Sequence, residues 1–127
     1  MTVILDAGAL VAAERRPGGL LAILDELAVN GHEVPAVPST VIAQVWRGGR
    51  GRQARLGKWL SLCETVVLDH DAALRVGQLL AATRTTDVVD AHVVDSASQG
   101  DVIVTSDPLD IAKLAKTAKK RVSIIAL

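Results

Sequence analysis

Short runs of consecutive apolar residues alternate along this 127-residue chain with stretches whose apolar residues recur at helical spacing, and that alternation restricts the folds open to it. Val3-Ile4-Leu5 and Val102-Ile103-Val104 lack the polar/apolar alternation of a half-exposed strand, as expected of strands covered on both faces. Leu20, Leu21, Leu24, Leu27 and Ala28 form an amphipathic stripe, as do Val41, Ile42, Val45 and Trp46, then Ala73, Val76, Leu79 and Leu80, and finally Ile111, Leu114, Ala115 and Ala118. Further strands are expected near residues 33–37, 65–68 and 122–127, and further helices at 7–16, 53–62 and 87–99. Asn30-Gly31 reads as a helix stop and Ser39-Thr40 as a helix cap. Repeated strand-then-helix order predicts an α/β fold with a parallel sheet, right-handed crossovers and helices on both faces. No linker, repeat or low-complexity tract divides the chain, so residues 1–127 are expected to form a single domain.

Composition sharpens this picture. Half of the residues are hydrophobic but only 2% are aromatic, so the core must be built from aliphatic side chains. No apolar run approaches the roughly 20 residues that span a bilayer, and the N-terminus lacks the pattern of a secretory signal. A soluble, cytoplasmic protein with no membrane contact is expected. Cys63 is the only cysteine, which excludes an internal disulfide and a thiolate metal cage, and it reads as packing rather than as a nucleophile.

The formal net charge is zero, so overall charge does not advertise nucleic-acid binding, and any such surface must be local. Acids and bases are in fact segregated. Arg47, Arg50, Arg52, Arg55 and Lys58 fall together, while Asp87, Asp90, Asp95, Asp101, Asp107 and Asp110 crowd a later stretch.

In an open parallel sheet, ligands bind beyond the carboxyl ends of the strands, near the point where strand order reverses. Val3-Ile4-Leu5 runs into Asp6, and Val102-Ile103-Val104 runs into Thr105-Ser106-Asp107, so parallel strands would bring Asp6 and Asp107 to one edge. Asp87 and Asp90, three residues apart, share one helical face, whereas Asp95 is rotated away from them. Asp90 also lies in line with Val94 and Ala97 and so should point toward the sheet. An all-carboxylate cluster without His or Cys suits hard divalent cations, chiefly Mg²⁺ or Mn²⁺. Such ions activate water and neutralise charge that builds on a phosphate, which makes phosphodiester hydrolysis the natural reaction. Each acid also stands where a helix cap is expected, and capping alone accounts for any one of them. The functional case rests on their coincidence at one edge.

Other chemistries find little support. His32, His70 and His92 have no metal-ligand spacing, and no nucleophile elbow, P-loop or dinucleotide fingerprint occurs. Asp69-His70-Asp71 reads as a turn and cap. The stretch from Arg47 to Lys58 could contact phosphates, with Trp46 or Trp59 stacking on a base, or could be a solvated basic loop.

Taken in order, Val-Ile-Leu-Asp6-Ala-Gly-Ala-Leu, the helix Asp87-Val-Val-Asp90-Ala-His-Val-Val and the segment Val-Thr105-Ser106-Asp107-Pro-Leu-Asp110-Ile resemble the PIN-domain nucleases, in particular VapC-like toxins of VapBC toxin-antitoxin pairs. The similarity runs through essentially the whole chain. It implies a three-layer α/β/α sandwich on a five-stranded parallel sheet, and an endoribonuclease using Mg²⁺ or Mn²⁺. By motif, Asp6, Asp90 and Asp107 would be the catalytic, metal-holding acids, with Asp87 and Asp110 as outer contributors. Thr105 would orient the site through its hydroxyl, and Arg47 and Arg50 would guide the RNA. The resemblance also implies a VapB-like antitoxin that covers the acidic groove, and a homodimer.

One position departs from the pattern. Family members carry a glutamate where this chain has Gln44, within Val-Ile-Ala-Gln44-Val-Trp-Arg47. An amide oxygen can ligate a hard cation but brings no charge. The alternative is therefore a degenerate PIN domain that binds RNA or a partner without hydrolysis. A receiver-like phosphoacceptor domain would need paired acids after the first strand and a well-placed late lysine. Asp6 has no acidic neighbour, and Lys119 and Lys120 read as a solvated helix end.

Overall fold

The computed structural model describes residues 1–29, 34–49, 51 and 53–127. The expected helix stop at Asn30-Gly31, His32, the start of the second strand at Glu33, and the arginines at 50 and 52 lie outside the described residues.

Five strands form one sheet: β1 (Val3–Leu5), β2 (Ala36–Pro38), β3 (Glu64–Val66), β4 (Val102–Thr105) and β5 (Ser123–Ala126). Their order is β3-β2-β1-β4-β5 and every pair is parallel. The helices between them are α1 (Ala7–Arg15), α2 (Pro17–Val29), α3 (Ser39–Val45), α4 (Ala54–Ser61), α5 (His70–Thr83), α6 (Val88–Ser96) and α7 (Pro108–Thr117).

The chain steps outward from β1 through β2 to β3, then returns to the other side of β1 for β4 and β5. Right-handed crossovers in opposite directions place their helices on opposite faces. Thus α1 to α4 cover one face, where α1 packs on α2, α3 and α4, and α5 to α7 cover the other, where they pack on one another. This is the expected three-layer α/β/α sandwich.

Burial follows the sequence pattern except at Leu21, Ala28, Trp46 and Ala73, expected on apolar stripes, which face solvent, Ala72 being buried in place of Ala73. Val3, Ile4 and Leu5 of β1 and Ile103 and Val104 of β4 are essentially inaccessible to solvent, and Leu10, Val41, Val93 and Ile111 close over them from the helices. The edge strands β3 and β5 are only partly covered.

Side-chain capping defines several helix starts. Asp6, Asp69 and Asp87 accept hydrogen bonds from the backbone N–H of Ala9 (2.8 Å), Ala72 (2.8 Å) and Asp90 (3.0 Å). Ser39-Thr40 behaves differently from its expected role. Pro38 occupies the cap position of α3 with no side-chain cap, because both hydroxyls are engaged elsewhere. Ser39 Oγ accepts from the Leu68 N–H at 3.0 Å, and Thr40 Oγ1 pairs with Nδ1 of the buried His92 at 2.7 Å.

Lys120 is a second correction. Its ammonium is part-buried and donates to the carbonyls of Val94 (2.9 Å), Asp95 (2.8 Å) and Ala97 (2.6 Å), closing the C-terminus of α6. Burial lowers its pKa. Cys63 packs half-buried against the core, and burial pushes its thiol up to about 11, so it is held as the unreactive thiol.

Candidate active site

The reversal of strand order lies between β1 and β4, and both strands point their carboxyl ends to the same edge. Leu5 pairs with Val104, and the Asp6 N–H donates to the Val104 carbonyl at 3.2 Å, so the ladder carries Asp6 to the level of Thr105. Asp6 is buried at 3% exposure, yet its carboxylate is fully partnered. Oδ1 accepts from Ala9, Oδ2 accepts from the Ser106 N–H at 3.3 Å, and the Thr105 hydroxyl hydrogen-bonds the same carboxylate. Burial raises the Asp6 pKa and nearby Asp107 adds to this, while those three hydrogen bonds oppose it.

Thr105 is fully buried, so its reach is to the acids rather than to a ligand in solvent. Its oxygen also accepts from the Asp107 N–H at 2.8 Å. One hydroxyl thereby ties the acid after β1 to the backbone of the acid after β4. Asp107 occupies the cap position of α7, but its side chain makes no cap hydrogen bond. The sequence Asp107-Pro108 invites a capping reading, and the fold leaves this exposed carboxylate available.

Asp90 comes from the opposite helical layer. It is half-buried one turn into α6, on the face continued by the buried Val94 and Ala97. Its pKa is pushed up to about 7, first by burial, then by the charges of Asp87, Asp107, Asp6 and Asp110. Three segments distant in sequence therefore meet at one edge within electrostatic reach. Asp110 and Lys113 share a small cavity of about 90 Å³ with Thr85, Asp87 and Asp90.

The other members of the acidic stretch turn away. Asp95 forms a two-pronged pair with Arg75 at 2.9 and 3.1 Å, as its rotation on the helix implies. Asp101 ties down the opposite edge by accepting from Thr2 (2.9 Å) and Ser98 (2.8 Å).

The donor set of Asp6, Asp90 and Asp107 is all oxygen and mutually repulsive, which suits a hard divalent cation chemically. Among the described residues, however, no group of three or more His, Cys, Asp or Glu side chains converges tightly enough to cage an ion. The acids are coupled through space rather than gathered on one point.

Gln44 lies on the exposed side of α3, and its side chain hydrogen-bonds no other described residue. Arg47 is exposed, and its Nη1 donates to the carbonyls of Ala43 (3.0 Å) and Trp46 (2.8 Å), closing α3. The loop that carries it is held by the buried Gln53, which accepts from the Arg47 N–H at 2.7 Å and donates to the Val45 carbonyl at 2.8 Å. Trp46 is 41% exposed and Trp59 packs partly against the core.

Two contributors escaped the sequence reading. Gly8 allows α1 to approach the end of β4 so closely that a Cβ there would overlap the Ser106 hydroxyl. A glycine inside a predicted helix was the available signal, since it weakens the helix by about 1 kcal/mol relative to alanine and needs a packing reason. The Ser106 backbone N–H, which holds Asp6, carries no sequence signature.

No protein-family model and no curated protein sequence matches this chain. A search of solved structures finds a chain of the crystal structure of VapBC2 from Rickettsia felis bound to a DNA fragment from their promoter, with a TM-score of 0.72 at 17% sequence identity, covering 98% of each chain. At that identity the likeness speaks to the fold. It spans the whole arrangement just described, with no large insertion on either side, and agrees with the parallel sheet and its helical layers. The chain has the PIN-like α/β/α fold, built on a five-stranded parallel sheet.

Proposed function

We propose that this protein is a divalent-metal-dependent endoribonuclease, acting in the cytoplasm as the toxin of a toxin-antitoxin pair. The observation that carries the reading is the meeting of Asp6, Asp90 and Asp107, from three separate segments, at the strand-order switch. A cluster of like charges in which one carboxyl is lifted to about 7 calls for a counter-charge.

Asp6, Asp90 and Asp107 would hold Mg²⁺ or Mn²⁺, with Asp87 and Asp110 adding negative charge around them. When bound, the cation would lower the pKa of water and offset charge on the phosphate. The chain's own contribution is to hold the acids in place. Thr105, Ala9 and Ser106 fix the Asp6 carboxylate through hydrogen bonds, and the buried aliphatic core beneath keeps the site rigid. Arg47 would guide the RNA strand through those guanidinium nitrogens that do not bond to the backbone carbonyls. A VapB-like antitoxin accompanies this reading, supported by the full-length likeness to a chain of a VapBC2 complex, and a homodimer is proposed from the family resemblance of the sequence alone.

Gln44 supports a second reading, in which the domain binds RNA or a partner without hydrolysis, because an amide stands where an acid is expected. The test is incubation of the purified protein with total cellular RNA in Mg²⁺, Mn²⁺ or chelator, comparing wild type with Asp6→Asn and Asp90→Asn. Asparagine preserves the cap acceptor at position 6. Discrete cleavage that requires metal and is lost in both variants supports the nuclease. Equal inertness of all three proteins toward RNA that they still bind supports the binding-only domain.

A further inference from the structure

Two adjoining grooves lie beside the acidic edge rather than in it. One, of about 630 Å³, runs from Gly8 and Ser106 over Val11, Ala12 and Leu20 to Arg15 and Arg16. A second, of about 620 Å³, continues from Val11 and Arg15 to Arg47 and Gln53. The two share Val11 and Arg15, so Arg15 stands at the midpoint of a trough. One end of it is Ser106, the residue whose N–H holds Asp6.

Arg15 differs from other arginines of the chain in what it does for the fold. Arg47 binds the carbonyls of Ala43 and Trp46, Arg55 binds the Glu14 carbonyl at 3.2 Å, and Arg75 pairs with Asp95. Arg15 and Arg16 are exposed and their side chains make no hydrogen bond or ion pair with another described residue. Cations left free along a trough present fixed positive charge to its contents. Among the described residues lining the trough, Glu14 supplies the only side-chain carboxylate, against the three arginines at positions 15, 16 and 47.

We infer that this trough is the track of a single RNA strand leaving the acidic site, and that Arg15 is its central positioning residue. The inference rests on the nuclease reading and adds to it where the strand lies. Each section falls within the roughly 300–1,000 Å³ range that encloses a small ligand, and so suits one nucleotide unit. The aliphatic floor of Val11, Ala12 and Leu20 can take the face of a base. The arginines can take phosphates or lie flat against bases. The described lining offers no aromatic platform, so the track should favour single strands with little preference for base identity.

The test is fluorescence anisotropy with a fluorescein-labelled 12-nucleotide single-stranded RNA, in chelator so that cleavage cannot intervene, over a range of salt. Arg15→Gln keeps a good helix former at an exposed position. It should weaken binding five- to tenfold and reduce the salt slope by about 0.7, the value for one phosphate contact on a single strand. A purely structural role for Arg15 would not move the salt slope. Arg121→Gln, before β5 at the far edge of the sheet, should leave both unchanged. Cleavage by the same proteins is then followed in Mn²⁺. Unchanged affinity and slope in Arg15→Gln overturn the track even if cleavage persists, and leave the trough as a protein-docking face. Arg15-dependent binding without any cleavage by wild type upholds the track and overturns the hydrolytic reading. Failure of wild type to bind the RNA overturns both.

Discussion

Gly8 lies so close to Ser106 that a single added methyl group would overlap the serine hydroxyl. That approach brings the first turn of α1 against the end of β4, and so brings the Ser106 N–H to the Asp6 carboxylate. The acidic edge is assembled by a packing contact as much as by its acids.

Gly8→Ala should therefore destabilise the protein by about 1–3 kcal/mol, the usual cost of overpacking, even though alanine is the better helix former. Adding Ser106→Gly removes the clashing side chain and should restore most of the loss. Chemical denaturation of the two single variants and the double variant checks this. Equal stability of Gly8→Ala and wild type would show that the loop moves aside without cost.

Asp90 gives the metal-free protein a pH dependence of defined sign. Its folded-state pKa of about 7 exceeds the ordinary 3.8, so the folded state binds this proton more tightly than the unfolded chain does. Its stabilising contribution is complete below about 4 and is lost as pH rises through 7. His92 acts oppositely, since burial lowers its pKa below 6.5 and stability falls as pH drops through that value. Melting temperatures of Asp90→Asn minus those of wild type, measured in chelator, should become more positive between pH 5.5 and 8. A flat difference would mean that Asp90 is not held protonated by its surroundings.

Cation binding should relieve the same repulsion. In the proposed nuclease, Mg²⁺ or Mn²⁺ at 100 times the dissociation constant would stabilise the protein by about 2.7 kcal/mol. Thermal shift at pH 8 should show this for wild type, with a much smaller effect for Asp90→Asn. An equal shift in both proteins would place the ion elsewhere.

Gln44→Glu adds the acid that the family pattern leads one to expect. If the α3 position contributes to the cation site, Mn²⁺ affinity should rise by about tenfold through the added charge, with a parallel gain in RNA cleavage. Titration calorimetry decides it. No change in either quantity would remove Gln44 as a cause of weak binding.

Lys120→Met retains an aliphatic stem but leaves the carbonyls of Val94, Asp95 and Ala97 without their donor. A loss of about 2 kcal/mol in stability is expected from breaking charge-assisted hydrogen bonds at a helix end. RNA cleavage at a temperature where the variant stays folded should be unchanged. A selective loss of cleavage would mean that the C-terminus of α6 governs the acids at its start.

Much of this molecule was legible residue by residue. Val3-Ile4-Leu5 and Val102-Ile103-Val104 announce buried strands because both their faces must be apolar, and the helical stripes are visible in the spacing of Leu, Val and Ala. That Asp95 turns away from Asp87 and Asp90 also follows from helical geometry alone, and the Arg75 pair bears it out. Ser39-Thr40 was misread as a cap because the partners that engage its hydroxyls, Leu68 and His92, are distant in sequence. Lys120 likewise appeared solvated because the carbonyls it caps belong to another helix.

By itself, then, the sequence determined the order and kind of the elements, the parallel α/β architecture and the acids that strand ends would present. These depend on local periodicity and on which residues tolerate burial. Only the tertiary structure decided which of those acids remain coupled, that Asp107 is left uncapped while Asp95 and Asp101 are tied down, and that Gly8 and Ser106 meet. Each of these outcomes depends on distances between segments far apart in the chain, which packing sets and local spacing cannot encode.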